Sequence, residues 1–109
     1  MSLKEKIKEL SVELLPQIIE IRRTIHQNPE LSFQEYETSK YIKSVLSDWD
    51  IPFQDGIADT GIVVLLKGNK PEKSCTALRA DFDALPIKEE NEVEYCSKND
   101  GVMHACGHD

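Results

Sequence analysis

The sequence contains no long apolar run and comparatively little positive charge. No apolar stretch approaches the roughly 18 residues that a membrane-spanning helix needs, and residues 1–5 include no hydrophobic signal-peptide region. Lys and Arg together number 13 against 20 Asp and Glu, which gives a net charge of −7. Because nucleic acid and anionic membranes are bound through concentrated positive charge, the composition argues against both as partners.

Cysteine is scarce, and glycine-rich phosphate-binding motifs are absent. The three cysteines are odd in number and show no disulfide-framework spacing, so we expect a reducing compartment and a cytoplasmic protein. The sequence contains neither a P-loop nor a dinucleotide-binding fingerprint. With 109 residues, of which 39% are hydrophobic and 30% charged, the chain is at most one small soluble domain with a modest core.

The N-terminal stretch is typical of a long amphipathic helix. Apolar residues recur at helical spacing between residue 3 and about residue 27, and Lys and Glu occupy the other face. These apolar positions are Leu3, Ile7, Leu10, Leu14, Ile18, Ile21 and Ile25. Pro16 should kink or divide the helix, and Asn28-Pro29 should end it. We interpret His26 most simply as a residue of the last turn, where cations suit the helix dipole.

A second helix is predicted from its capping pattern. Residues 32–35 (Ser-Phe-Gln-Glu) have the form of a capping box, and Leu31 with Tyr36 can form the accompanying hydrophobic staple. The apolar stripe that follows consists of Phe33, Tyr41, Ile42, Val45, Leu46 and Trp49. We expect its aromatic members to pack in the core and the helix to end near Asp48.

The hydrophobic period changes after residue 51. The continuous apolar run Ile62–Leu66 predicts a strand buried on both faces, and Ser74–Ala80 predicts its antiparallel partner. Cys75 is expected to pack in that second strand as a small hydrophobe. Residues 88–100 are polar and rich in Glu, which favours an exposed loop that also contains Cys96.

Two carboxylates follow the second predicted strand. Asp81 and Asp83 lie two residues apart beside Arg79, an arrangement that suits the edge of an active site. A solvated turn explains the same residues equally well, and both interpretations stay open on the pattern alone.

The last residues hold a dense set of potential metal ligands. His104, Cys106 and His108 fall within five positions, and thiolate with imidazole favours zinc and similar metals. On a helix, residues two apart point about 200° apart, so Cys106 and His108 share an ion only in an extended or looped backbone. A chance cluster of one buried cysteine and two surface histidines is the alternative. Because a catalytic site needs three protein ligands or more, we expect the remaining ligands beyond Asp109.

Four stretches together resemble the amidohydrolase branch of the M20 metallopeptidases, which includes hippurate hydrolases, N-acyl-amino-acid deacetylases and auxin-conjugate hydrolases. They are residues 22–31 (RRTIHQNPEL), 60–63 (TGIV), 79–86 (RADFDALP) and 103–109 (MHACGHD). The resemblance implies an α/β fold in which residues 1–109 form the N-terminal portion of a zinc-exopeptidase-like catalytic domain. It further implies a mixed β-sheet flanked by helices, with a lid and dimerisation domain elsewhere in the protein.

The resemblance also implies roles for individual residues. Cys106 and His108 correspond to metal ligands of the family motif. Asp83 corresponds to an aspartate at the catalytic site, where it would orient a ligand. Asp81 stands where other M20 enzymes carry a ligating histidine, a departure found throughout this branch. The implied cofactors are two divalent metal ions, zinc or manganese, with cobalt or nickel as alternatives.

The function that follows from the resemblance is metal-dependent hydrolysis of the amide bond of N-acyl amino acids. Metal-activated water would attack the amide carbonyl. The isolated chain is expected to be inactive because the other ligands and the general base lie beyond Asp109. Such a protein would bind a small-molecule N-acyl amino acid, without nucleic acid or membrane, and the resemblance is compatible with a homodimer of the full-length protein. A different class, a small metal-binding or interaction module completed by oligomerisation, is the alternative, and the reading frame after Asp109 distinguishes the two.

Overall fold

The structure, a computed structural model, describes residues 1–108. The elements in chain order are helix α1 (Leu3–Gln27), helix α2 (Tyr36–Asp48), strand β1 (Gln54–Ile57) and strand β2 (Gly61–Val63). The predicted α/β class is therefore confirmed. No helix among residues 1–108 is both long enough and apolar enough to span a membrane.

Helix α1 is a single helix with a complete N-terminal capping box. The hydroxyl of Ser2 accepts a hydrogen bond from the amide of Glu5, and the Glu5 carboxylate accepts one from the amide of Ser2. The helix continues without a break through Pro16, so of the two expected effects of this proline, a kink or a division, the division does not occur. Proline removes only one donor from the helical ladder, and the remaining bonds of a 25-residue helix are sufficient to keep it continuous. The helix ends at Asn28 as predicted, where the cap amide donates to the carbonyl of Ile25.

The apolar stripe of α1 is mostly open to solvent. Its residues Leu3, Ile7, Leu10, Leu14 and Ile18 are all exposed, Leu3 to 77%. The one buried residue of the helix is His26, in the last turn. The helix is therefore attached to the rest of the described chain through its C-terminal end.

Helix α2 begins later than predicted and is capped by a different residue. The predicted capping box at residues 32–35 is wrong, because Glu35 itself is the N-cap and makes no side-chain capping bond. Instead, the carboxylate of Glu30 accepts hydrogen bonds from the amides of Glu37 and Thr38 and from the Thr38 hydroxyl. A carboxylate at this end also suits the helix dipole. The helix ends at Asp48 as expected.

Two side chains of the predicted box have other partners. The Glu35 carboxylate accepts from the amide of Phe33 and from the buried hydroxyl of Thr60, and the hydroxyl of Ser32 donates to Asp83. Phe33 lies before the helix, in the left-handed region with φ of 64°, and is 74% exposed. The expectation that Phe33 packs in the core is therefore wrong.

The sheet is a short antiparallel hairpin. Strand β1 pairs with β2, across a turn in which Ala58 and Asp59 both have positive φ. The predicted long strand Ile62–Leu66 stops at Val63, and Leu65 and Leu66 are exposed. Residues 74–80 form no strand and are exposed, so the predicted pairing is wrong. Strand β2 pairs with β1 instead, and residues 74–80 pair with no strand within residues 1–108.

Cys75 is exposed, so its predicted packing in a strand is wrong as well. The buried positions are mostly polar: apart from Ala84 and Pro29 they are His26, Glu35, Thr38, Ser39, Thr60 and His104. Two isolated bridges join distant segments at this small centre. Ala84 pairs with Leu31 in parallel, and Leu85 pairs with Met103 antiparallel. The residues after Asp83 are thereby placed between the α1–α2 connection and the C-terminal motif.

The capping role of Glu30 gives a first prediction. Glu30→Ala in the complete protein should destabilise the start of α2 by about 1 kcal/mol, the usual cost of losing a helix cap. That cost corresponds to roughly fivefold faster hydrogen exchange at the amides of Glu37 and Thr38. The matched control is Glu13→Ala, which removes an exposed carboxylate from α1. Unchanged exchange at both amides would show that Glu30 does not cap the helix.

Candidate metal centre and its surroundings

The side chains of Cys106 and His108 lie close together. The Sγ atom of Cys106 lies 3.6 Å from Nδ1 of His108, and both residues are exposed. The backbone here is a turn, not a helix, so residues two apart can point to the same side. A thiol and an imidazole that face each other at this separation form a donor pair suited to zinc and other borderline metals.

The described residues do not supply a full set of ligands. Among residues 1–108, no group of three or more His, Cys, Asp or Glu side chains is arranged to hold a metal ion. Asp109 lies outside the described residues. Asp83 therefore does not join Cys106 and His108 as a third ligand within this part of the chain.

The two aspartates after residue 80 have different surroundings. Asp81 forms an exposed ion pair with Arg79, with 2.8 Å between Oδ1 and the guanidinium. Exposed pairs of this kind contribute little to stability. Asp83 is half-buried and accepts a hydrogen bond from the hydroxyl of Ser32. Asp83 is thereby bonded to a segment 51 positions earlier in the chain.

A buried His–Glu pair, which was not predicted from the sequence, lies beside the Cys106 segment. Nε2 of His26 lies 3.1 and 3.0 Å from the two carboxylate oxygens of Glu89. The side chains are only 8% and 5% exposed. The prediction that residues 88–100 form an exposed loop is therefore wrong at Glu89. No local signal separates Glu89 from the neighbouring glutamates, because its partner lies 63 positions earlier in the chain.

The charge state of Glu89 is set by its hydrogen bonds. Burial by itself favours the neutral acid, but the amide of Ser97, the ring of His26 and the side chain of Asn91 outweigh it and lower the pKa of Glu89 from 4.5 to about 2. The carboxylate is thus ionised at neutral pH. Because an ionised carboxylate only accepts hydrogen bonds, Nε2 of His26 carries the proton between them.

The pair and the cysteine line the same cleft. His26, Glu89, His104 and Cys106 are among the residues around a cleft of about 350 Å³. The rings of His26 and His104 are 6.3 Å apart between centroids, and Tyr95 meets His26 edge-on at 5.9 Å. The Tyr95 ring is covered in turn by the guanidinium of Arg23, 4.4 Å from its centroid. The C-terminal end of α1 therefore forms one wall of the cleft that contains Cys106.

Comparison with known proteins identifies a family match in the segment that contains Cys106 and His108. Residues 77–109 match the family model described as peptidase family M20/M25/M40. The whole chain is 51% identical to thermostable carboxypeptidase 2 of Saccharolobus solfataricus, of which it covers 28%. Over 97% of its length it is 45% identical to an N-acyl-L-amino acid amidohydrolase of Geobacillus stearothermophilus, of which it again covers 28%. The part of the chain that carries residues 103–109 thus matches the M20 peptidase family, and the chain spans little more than a quarter of the length of these two relatives.

Solved structures of M20-type proteins have the same fold. A putative aminohydrolase from methicillin-resistant Staphylococcus aureus superposes on 97% of the chain with a TM-score of 0.87 and 44% identity. A Bacillus subtilis protein described as a dinuclear metal-binding peptidase of the M20 family superposes on 85% of it with a TM-score of 0.79 and 45% identity. The chain spans 28% and 26% of these two structures, respectively.

The lowered pKa of Glu89 predicts how stability depends on pH. A carboxylate whose pKa falls from 4.5 to about 2 on folding contributes stability above pH 4.5, and this contribution is lost as the pH falls towards 2. We expect Glu89→Gln to destabilise the protein at neutral pH by at most about 3–5 kcal/mol, the cost of breaking a buried pair. The difference from wild type, measured as denaturation midpoints at successive pH values, should shrink below pH 4.5.

The control is Glu90→Gln, which neutralises the exposed neighbour and should show little difference at any pH. A wild-type advantage over Glu89→Gln that stays constant through the acid range would contradict the assignment, because the stabilising group would then not be the Glu89 carboxylate.

Proposed function

We propose that the complete protein is a metal-dependent hydrolase that cleaves the amide bond of N-acyl amino acids. The observation that carries the proposal is the convergence of Cys106 and His108, 3.6 Å apart, within the segment that matches the M20 family. In this proposal residues 1–109 supply the N-terminal portion of the catalytic domain. The remaining ligands, the general base and a lid and dimerisation domain belong to other parts of the protein.

The names of the relatives support this class of reaction. One relative is named an N-acyl-L-amino acid amidohydrolase, another a putative amidohydrolase of Bacillus subtilis, 44% identical over the whole chain, and a third a carboxypeptidase. All three names describe hydrolysis of a C–N bond. The amidohydrolase names, together with the motif at residues 103–109, favour an N-acyl amino acid over a peptide as substrate.

The donor chemistry of the described residues fits a divalent metal ion. Cys106 would bind as the thiolate, the form of cysteine that ligates metals, and His108 would bind through a ring nitrogen. When bound, a pair of divalent ions, zinc or manganese with cobalt or nickel as alternatives, supplies Lewis-acid activation of water and of the amide carbonyl. Asp83, held by Ser32, would orient a neighbouring ligand through its charge.

The cellular setting of the proposal follows from the thiol chemistry. Within residues 1–108, Cys75, Cys96 and Cys106 form no disulfide bond, and a cysteine that binds metal must stay reduced. We therefore place the enzyme in the cytoplasm, where thiols are kept reduced. Its partner would be a small N-acyl amino acid.

Replacing the thiol tests the proposal directly. In the complete protein, Cys106→Ala should lower bound metal and hydrolysis of N-acetyl and N-benzoyl amino acids together, because a ligand is lost. The matched control is Cys75→Ala, which removes an exposed thiol and should leave both near the wild-type values. Bound metal is measured by elemental analysis and turnover by release of the free amino acid. Wild-type metal content and activity in Cys106→Ala would remove Cys106 from the site.

A second test concerns the charge of Asp83. Asp83→Asn keeps an oxygen that can accept the Ser32 hydrogen bond but removes the negative charge. We expect a loss of about 10- to 100-fold in metal affinity or activity, as for other residues that orient a ligand. Asp81→Asn is the comparison, because it disrupts only the exposed pair with Arg79 and should change little. Equal activity and metal content in both variants and wild type would reduce Asp83 to a turn residue.

A further inference from the structure

In the buried pair of His26 and Glu89, the Glu89 carboxylate accepts hydrogen bonds from three donors. Both Glu89 oxygens contact Nε2 of His26. The same carboxylate accepts from the amide of Ser97 at 2.6 Å and from the side chain of Asn91 at 3.0 Å. A carboxylate with this many donors is held in one orientation. It therefore connects the end of α1 rigidly to the backbone at Ser97.

Ser97 continues the connection towards the C-terminal motif. Its amide is bound to Glu89, and its hydroxyl donates to the carbonyl of Val102 at 2.7 Å. The next residue, Met103, exchanges backbone hydrogen bonds of 2.9 and 3.0 Å with Leu85. Cys106 follows three residues after Met103. A continuous series of hydrogen bonds thus runs from His26 to the start of the segment that carries the candidate metal ligands.

Apolar packing gives this segment little other support within residues 1–108. Ala84 is the buried hydrophobic side chain of this region, and Cys106 and His108 themselves are exposed. The ring of His26 lies 6.3 Å from the ring of buried His104, so the pair also borders the motif directly. The orientation of residues 102–108 therefore depends on polar contacts more than on a core.

We propose that the hydrogen-bonded series His26–Glu89–Ser97–Val102 fixes the position of the Cys106–His108 segment, so that Glu89 and Ser97 are positioning residues for the metal ligands. The inference rests on the proposed function, because it concerns the same two ligands. It extends the candidate site to residues that lie outside residues 103–109. Neither Glu89 nor Ser97 is assigned a contact with the metal ion.

The test uses the hydroxyl of Ser97, since its removal leaves the Glu89 carboxylate and the Ser97 amide in place. In the complete protein, Ser97→Ala should weaken Zn²⁺ binding, measured by chelator competition, by about 10-fold or more, as for other residues that support ligands. It should also weaken the thiolate-to-metal charge-transfer band of the Co²⁺-loaded protein. Ser97→Thr, which keeps a hydroxyl, should restore both.

The matched control is Ser44→Ala, which removes a hydroxyl that likewise donates to a backbone carbonyl, that of Tyr41 on α2. Glu89→Gln should share the metal-binding defect of Ser97→Ala; if it does not fold, the Ser97 pair of variants decides. Zinc affinity and Co²⁺ spectra of Ser97→Ala equal to those of Ser44→Ala would overturn the inference. If Cys106→Ala still loses metal in that case, only the inference about Ser97 and Glu89 is rejected, and the proposed function is retained. Full metal binding by Cys106→Ala would reject the proposed function itself.

Discussion

The contact between His26 and Glu89 is the interaction on which the described fold depends most. Removing a carboxylate from water costs several kcal/mol unless charge and hydrogen bonds replace the lost hydration. Hydrogen bonds from His26, Ser97 and Asn91 replace the lost hydration of the Glu89 carboxylate. Because His26 lies on α1 while Ser97 and Asn91 lie in the loop after residue 88, all three donors reach the carboxylate only when α1 and this loop are together. Burial of the Glu89 charge therefore requires that α1 and this loop, which are distant in the sequence, lie next to each other.

Backbone hydrogen bonds around the end of α1 reinforce the same arrangement. The carbonyl of Gln27 accepts from the amide of Lys98 at 2.8 Å, and that of Glu30 accepts from the amide of Ala84 at 2.7 Å. The carbonyl of Pro29 accepts from the side chain of Asn99. The last carbonyls of a helix and the residues after it lack intrahelical partners. In this chain two later loops satisfy them, and those loops lead to Asp83 and to Cys106.

Local chemistry made part of this structure predictable from sequence. Helical periodicity located α1, with its end at Asn28, and the end of α2 at Asp48, because these features depend on neighbours a few residues apart. The capping box at residues 32–35 failed since long-range partners, Asp83 and Thr60, were available to Ser32 and Glu35. The strand at residues 74–80 failed because strand pairing requires a neighbour that the pattern of one segment does not specify.

The same distinction applies to the candidate site. Cys106 and His108 could be recognised because residue type and a two-residue spacing are local properties, and the resemblance to M20 enzymes assigned them a role. The pairing of His26 with Glu89 beside them could not be predicted. Glu89 is one of several acidic residues in a polar stretch, and His26 is 63 positions away. Cys106 and His108, the proposed metal ligands, are exposed and lie at a turn, which has little intrinsic order of its own. Its geometry must come from the segment before it, and that segment is attached through Ser97 to a charge buried against α1. Under the positioning proposal, the accuracy with which Cys106 and His108 are placed therefore depends on polar contacts that are distant in the sequence.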